Sequence, residues 1–171
     1  SVGHGFEHYI TQQFESLGTN LLFVFPGRMD ESSGGPRIGQ QRIQPLTMGD
    51  AKALADPFLV PDVVAVAPEY QQYGTAVRGK QQKSTSIDGV TPEMESARNF
   101  KTALGEFITQ EQVNGRSRVA VLGATIAQDM FEENEYPIGQ TVKLNDVPFK
   151  VVGVLEKKGG GGFGSQDDIV M

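Results

Sequence analysis

The stretch TVKLNDVPFKVVGVL, residues 141–155, constrains the fold more than any other. Thr141–Leu144 and residues 149–155 are two apolar-rich runs, and Asn145-Asp146 between them is a turn pair, so the segment predicts a hairpin. Side chains along a strand alternate between faces. Phe149, Val151 and Leu155 are therefore expected on one face, and Val152 and Val154 on the other.

Upstream, helical spacing takes over. In GFEHYITQQFESLG the apolar residues Phe6, Ile10, Phe14 and Leu17 mark one face of a helix. Tyr9 and Gln13 extend its edge, and Gly18 supplies the stop. Residues 21–25 are apolar on both faces and predict a buried strand, ended by Pro26 and Gly27. Residues 28–45 are rich in Gly, Ser, Pro and charge and predict an exposed loop. Thr47 and Asp50 form a capping-box pattern with Leu46 as staple. The helix they open is short, because Pro57 halts it near Ala55. VVAVA, residues 63–67, is a strand candidate.

Residues 69–89 are polar and β-patterned, with Gly79-Lys80 as a turn and Val77 and Ile87 as the inward residues. Thr91-Pro92-Glu93 predicts a short helical turn with Pro92 at its first position. Phe100, Leu104, Phe107 and Ile108 are candidate core anchors of a small lobe. Thr109 begins a second capping pattern, TQEQ, and Asn114-Gly115 is a turn. Val119–Leu122 is a short buried strand, and Gly123 leads from it into the helix ATIAQDMF, with Ile126 and Met130 facing inward.

Composition removes several functions. The 171 residues suffice for one ordinary domain or two small lobes, and 38% hydrophobic content suffices for a packed core. A net charge of −6 argues against nucleic acid or anionic lipid as the main partner, since both require a basic face. No apolar run approaches the ~20 residues that span a bilayer, and no signal peptide opens the chain; segments for export or anchoring are expected outside these residues. With no cysteine, disulfides, thiolate metal sites and a cysteine nucleophile are ruled out.

Two strings mimic catalytic motifs. HGFEH matches the H-x-x-E-H zinc-peptidase pattern. It offers two ligands, His4 and His8, where a catalytic zinc needs three from protein. With Gly5 in the first turn, the competing reading is a frayed helix end with two solvated imidazoles. KKGGGGFGS has phosphate-loop glycine spacing, but Ser165 stands where lysine is required. Its bland reading is a mobile hairpin end or linker. No G-x-S-x-G elbow surrounds any serine. No catalytic, metal or cofactor residue is assigned.

The strings SLGTNLLFVFPG, LTMGDAKAL, IDGVTPEM, GEFIT, VAVLG, PIGQTVKLNDVPFKVVGVLEKKG and QDDIVM follow one another in this order. Together they resemble the extracytoplasmic (periplasmic) core domain of MacB-type, FtsX-like ABC transporter permeases. The likeness is collinear over nearly the whole chain and weak over residues 28–45 and 69–85.

The resemblance implies an α+β fold: a porter-like lobe of residues 1–68 and 119–171, with an inserted mostly-β, Sabre-like lobe of residues 69–118. His4 and His8 would end a juxtamembrane stalk helix. The domain would be non-enzymatic and lie outside the cytoplasmic membrane. It would couple ATP hydrolysis by a cytoplasmic domain or subunit to periplasmic motion, driving efflux of peptides or antibiotics. Expected partners are a second copy of the permease, the ATPase and a periplasmic adaptor, with no nucleic acid. Tyr70, Tyr73 and Phe163 are candidate partner contacts. A substrate- or lipoprotein-binding module of a lipoprotein-extracting transporter is the alternative, and would need a sizeable apolar cleft. A zinc hydrolase is the distant one. Family domains usually continue beyond QDDIVM, so an incomplete porter-like lobe with an open strand edge is also expected.

Overall fold

The computed structural model describes residues 21–26, 44–161 and 164–171. Its largest local unit is the hairpin of β1 (Glu69–Arg78) and β2 (Gln81–Val90), whose ten residue pairs run from Arg78↔Gln81 to Glu69↔Val90 without a slip. The two-residue turn Gly79-Lys80 makes this possible, because Gly79 adopts φ +57°. That register places Gln72 opposite Ile87, so Ala76, not Val77, shares the inward face with Ile87. Ala76 is accordingly buried and Val77 only half-buried.

Three further strands surround β6 (Val147–Leu155). β5 (Thr141–Leu144) pairs with its first half, through a turn in which Asn145 and Asp146 have φ +47° and +67°. β3 (Thr102–Gly105) pairs with its second half, and β4 (Val119–Leu122) runs parallel along the other edge. The 141–155 hairpin is thus present, but one expectation about its faces is not met. The β4–β6 register shifts between Ala120↔Val151 and Val121↔Gly153, leaving Val152 as an extra residue. Such a bulge inverts the alternation beyond it. Phe149, Val151 and Val154 consequently pack in one cluster, and Val152 and Leu155 in the other.

The strand order is β3-β6-β4-β9-β2-β1-β5, where β9 is Ile169–Val170, and β5 also pairs with β6. The sheet therefore closes on itself. β9 runs parallel to β2 through Ser86↔Ile169 and antiparallel to β4 through Leu122↔Val170. Both its sides are taken, so the expected open edge does not lie here. A closed sheet also crosses the boundary expected near residue 118. Strands on both sides of that position are hydrogen-bonded to one another, and residues 67–171 fall in one compact unit, with residues 20–66 in another.

One cluster fills the closed sheet: Leu122, Val142, Leu144, Val151 and Val170 meet Ile126 and Met130 from α4. The second packs Met94, Phe100, Phe107, Ile108 and Leu155. Leu104, expected among these anchors, is 38% exposed. The helices are short: α1 (Met48–Leu54), α2 (Glu93–Ala97), α3 (Gln110–Asn114) and α4 (Ala124–Met130). Capping boxes open α1 (Thr47 with Asp50) and α3 (Thr109 with Gln112), satisfying N–H groups that a helix start leaves orphaned.

Residues 21–25 and 63–67 form no strand. Leu22, Val24, Phe25 and Val64 are exposed, and no described strand pairs with either run. Apolar composition supplies a face to bury but no ladder partner. The helix expected over residues 6–17 and most of the 28–45 loop lie outside the described residues.

Candidate functional site

Three places hold polar side chains in surroundings unlike an ordinary surface. The first is the open end of the β1–β2 hairpin. Asp88 is 2% exposed. Its Oδ1 accepts a 2.7 Å bond from the Ser86 hydroxyl, whose oxygen in turn accepts one of 3.2 Å from the Gln71 amide. Oδ2 receives no donor. Burial pushes the Asp88 carboxyl up to about 7, against the pull of the Ser86 hydroxyl; Glu69 adds to the rise and Arg98 opposes it. A protonated Oδ2 is a donor that the Glu69 carboxylate can accept.

The second lies at the root of a short hairpin, β7 (Gly160–Gly161) with β8 (Gly164–Ser165). KKGGGGFGS therefore ends in a hairpin, with residues 162–163 and hence Phe163 outside the described residues. Buried Asp167 closes the root by accepting from the backbone N–H of Lys158 and of Gly159. The Lys158 ammonium donates to the Arg98 carbonyl and stands 4.6 Å from the Phe100 ring centre. Burial, with the nearby Arg98, lowers the Lys158 pKa. This lysine is held against the core.

The third is a shallow groove lined by Arg78, Lys80, Gln128, Asp129, Phe131 and Glu135. Arg78 forks onto both oxygens of Glu135 at 3.0 and 2.8 Å and lies 4.3 Å over the Phe131 ring. That contact holds the half-exposed Glu135 carboxyl below its usual range. Lys83 pairs with Asp129 beside it. Arg78 and Asp129 on the groove's wall thus each have an ion-pair partner, and the groove is no apolar cleft.

Tyr70 and Tyr73 are 71% and 83% exposed. Three apart on one strand, they point to opposite faces and form no single patch. His4 and His8 lie outside the described residues; among the described ones no group of His, Cys, Asp or Glu could hold a metal. Asp88 and Asp167 were missed from sequence. Periodicity marks buried apolar positions, not buried acids; the one available signal was an acid beside an apolar pair, as in Asp167-Asp168-Ile169-Val170.

The closed sheet of seven strands with few and short helices is an α+β fold. The chain belongs to the MacB-like periplasmic core domain family, matched over residues 1–171; it is the periplasmic domain of a MacB-type ABC transporter permease. It is 36% identical to macrolide export ATP-binding/permease protein MacB of Hyphomonas neptunium, and equally so to that of Rhodospirillum rubrum. Both alignments cover 100% of this chain and 25% of the relative, so the chain spans about a quarter of these proteins. The periplasmic region of MacB from Actinobacillus actinomycetemcomitans shares the fold, with TM-score 0.72 and 24% identity over 94% of this chain and 68% of that one. The extracellular domain of the noncanonic ABC-type transporter YknZ from Gram-positive bacteria matches at TM-score 0.62 and 18% identity, over 73% of this chain and 60% of that one. Among the described residues no helix is long and apolar enough to cross a membrane.

Proposed function

We propose that this domain is non-catalytic and transmits mechanical work, coupling cytoplasmic ATP hydrolysis to periplasmic movement during efflux of peptides or antibiotics. Membership of the MacB-like family carries the reading. Sheet closure supports it: β6 is tied to β3, β4 and β5 at once, so a displacement of one strand loads the others. Two lobes are part of the proposal, a porter-like one of residues 1–68 and 119–171 and an inserted one of residues 69–118, joined through the closed sheet. A second permease copy, the cytoplasmic ATPase and a periplasmic adaptor are the proposed partners, and Tyr70 and Tyr73 the proposed contacts. A substrate- or lipoprotein-binding role is the second reading, favoured by exposed Phe58, Leu59 and Val64.

The test is a cysteine at position 8, in the segment the family likeness assigns to the stalk, cross-linked to its counterpart in the full transporter. Transport should stop while ATP hydrolysis continues. Transport that survives complete cross-linking favours the passive binding role.

A further inference from the structure

Two acids share one face of the β1–β2 ladder at its open end. Gln71 is opposite Asp88, and Glu69 lies two residues from Gln71 on the same strand, so Glu69 and Asp88 are diagonal neighbours whose side chains point the same way. The Glu69 carboxyl is close enough to bond to that of Asp88. Their surroundings differ. Glu69 opens β1 and is exposed. Asp88 is 2% exposed, with Oδ1 held by the Ser86 hydroxyl at 2.7 Å and Oδ2 without a donor.

An ionised carboxylate at this depth needs a proton or a cation. The cation near Asp88 is Arg98, the C-cap residue of α2, which favours the ionised form. The other elements around the acid bring no further charge to it. β9 sets apolar Ile169 and Met171 beside it, and α2 turns Met94 inward. Glu95 of α2 accepts from Thr102, Glu93 is engaged by Thr91, and Lys158 donates to the Arg98 carbonyl. Among the described residues, Glu69 and Arg98 are thus the charges that act on Asp88, and they act in opposite directions. Glu69 keeps the proton on; Arg98 takes its place.

We propose that Asp88 is a proton-operated latch for the open end of the β1–β2 hairpin. Protonated, it donates to Glu69 and ties the start of β1 to β2. Ionised, it repels Glu69, is held by Arg98, and lets the start of β1 go. Like charges across a ladder destabilise it, and of the two acids Glu69 is the one exposed enough to leave. What loosens is one rung. Thr75 has both backbone groups engaged by Asn145, away from β2, so alternation along the unslipped ladder turns Tyr70 toward β2. Tyr70↔Gly89 is then the last hydrogen-bonded pair before Pro68. The latch rests on neither reading of the domain's role in transport.

Carbon-13 NMR of the carboxyl groups in the 171-residue chain tests the partners. Asp88 should titrate near 7. Glu69→Gln should move that midpoint down, because an amide neither repels the ionised acid nor favours the proton. Arg98→Gln should move it up. Hydrogen exchange reads the latch itself. The tie is complete at lower pH and lost as pH rises through about 7. Protection of the Tyr70 and Gly89 amides, corrected for the intrinsic pH dependence of exchange, should therefore fall about tenfold between about pH 6 and about pH 8. In Asp88→Asn it should stay level. Should Asp88→Asn or Arg98→Gln fail to fold, the Glu69→Gln midpoint decides, since Glu69 is exposed and its loss leaves the core intact. An Asp88 midpoint in the ordinary carboxylate range overturns the proposal, as does one that Glu69→Gln leaves in place. Protection at Tyr70 and Gly89 that is level across the midpoint in the unmodified chain overturns it too.

Discussion

Asp167 holds the backbone of Gly159 and its neighbour with both carboxylate oxygens: Oδ1 accepts from the Lys158 N–H at 2.6 Å, and Oδ2 from the Gly159 N–H at 2.8 Å. With the acid 3% exposed, no water readily replaces it. Asp167→Asn sets an amide N–H₂ against a backbone donor. It should cost about 1–3 kcal/mol, the penalty for an unsatisfied buried donor. Urea unfolding at neutral pH measures this; a loss under ~0.5 kcal/mol, the range of ordinary surface changes, would remove the clamp from the account.

Asp88 predicts a pH dependence. Its folded pKa is raised, from the ordinary 3.8 to about 7. The folded state therefore binds the proton more tightly than the unfolded chain does. The stabilisation is complete below the unfolded value and is lost as pH rises through about 7. Between about pH 5 and about pH 8, Asp88→Asn should lose less stability than the unmodified chain, because its amide does not titrate. Identical pH slopes in the two proteins would show that Asp88 is ionised throughout.

Gly105 crosses β6 with φ +69°, and a Cβ there would lie 2.1 Å from the Val152 carbonyl oxygen. Gly105→Ala combines left-handed backbone strain with a clash against main chain that is fixed by its own hydrogen bond to Glu106. The loss should exceed the ~1–2 kcal/mol of the strain alone. A thermal midpoint unchanged from the parent would mean that β3 does not approach β6 this closely.

Leu122 is fully buried at the centre of the closed sheet, and Val64 is fully exposed. Leu122→Ala should cost about 2–5 kcal/mol and Val64→Ala within about 0.5 kcal/mol. Equal effects in denaturant titration would contradict the placement of the core.

Zinc analysis tests HGFEH directly. Two histidines fall one ligand short of a catalytic site, so the purified chain should carry no stoichiometric metal. One zinc per chain, lost on His8→Ala, would revive the hydrolase reading.

Local chemistry was legible where one short stretch contains its own cause. The Asn145-Asp146 turn, the Thr47/Asp50 and Thr109/Gln112 boxes and the inward Ile126 and Met130 all depend on neighbours within a few residues. Long-range pairing was not legible. The extra residue at Val152 arises from the β4 register, which nothing inside residues 147–155 encodes. Residues 21–25 and 63–67 have strand composition, but a strand exists only with a partner. Asp88 was invisible because a lone acid in a polar hairpin reads as surface, whereas in the fold it is buried near Glu69 and Arg98.

The seating of Ile169–Val170 between β2 and β4 sets an order of events in folding. The β1–β2 hairpin and the β5–β6 hairpin can each form from adjacent residues. The sheet cannot become continuous until Ser86 meets Ile169 across most of the described sequence. Such distant contacts slow folding, because the closure entropy is lost before the contact repays it. During synthesis the two hairpins wait, incompletely covered, for this short strand to leave the ribosome. A chaperone that shields β2 in that interval would raise the yield of folded protein without touching its final stability.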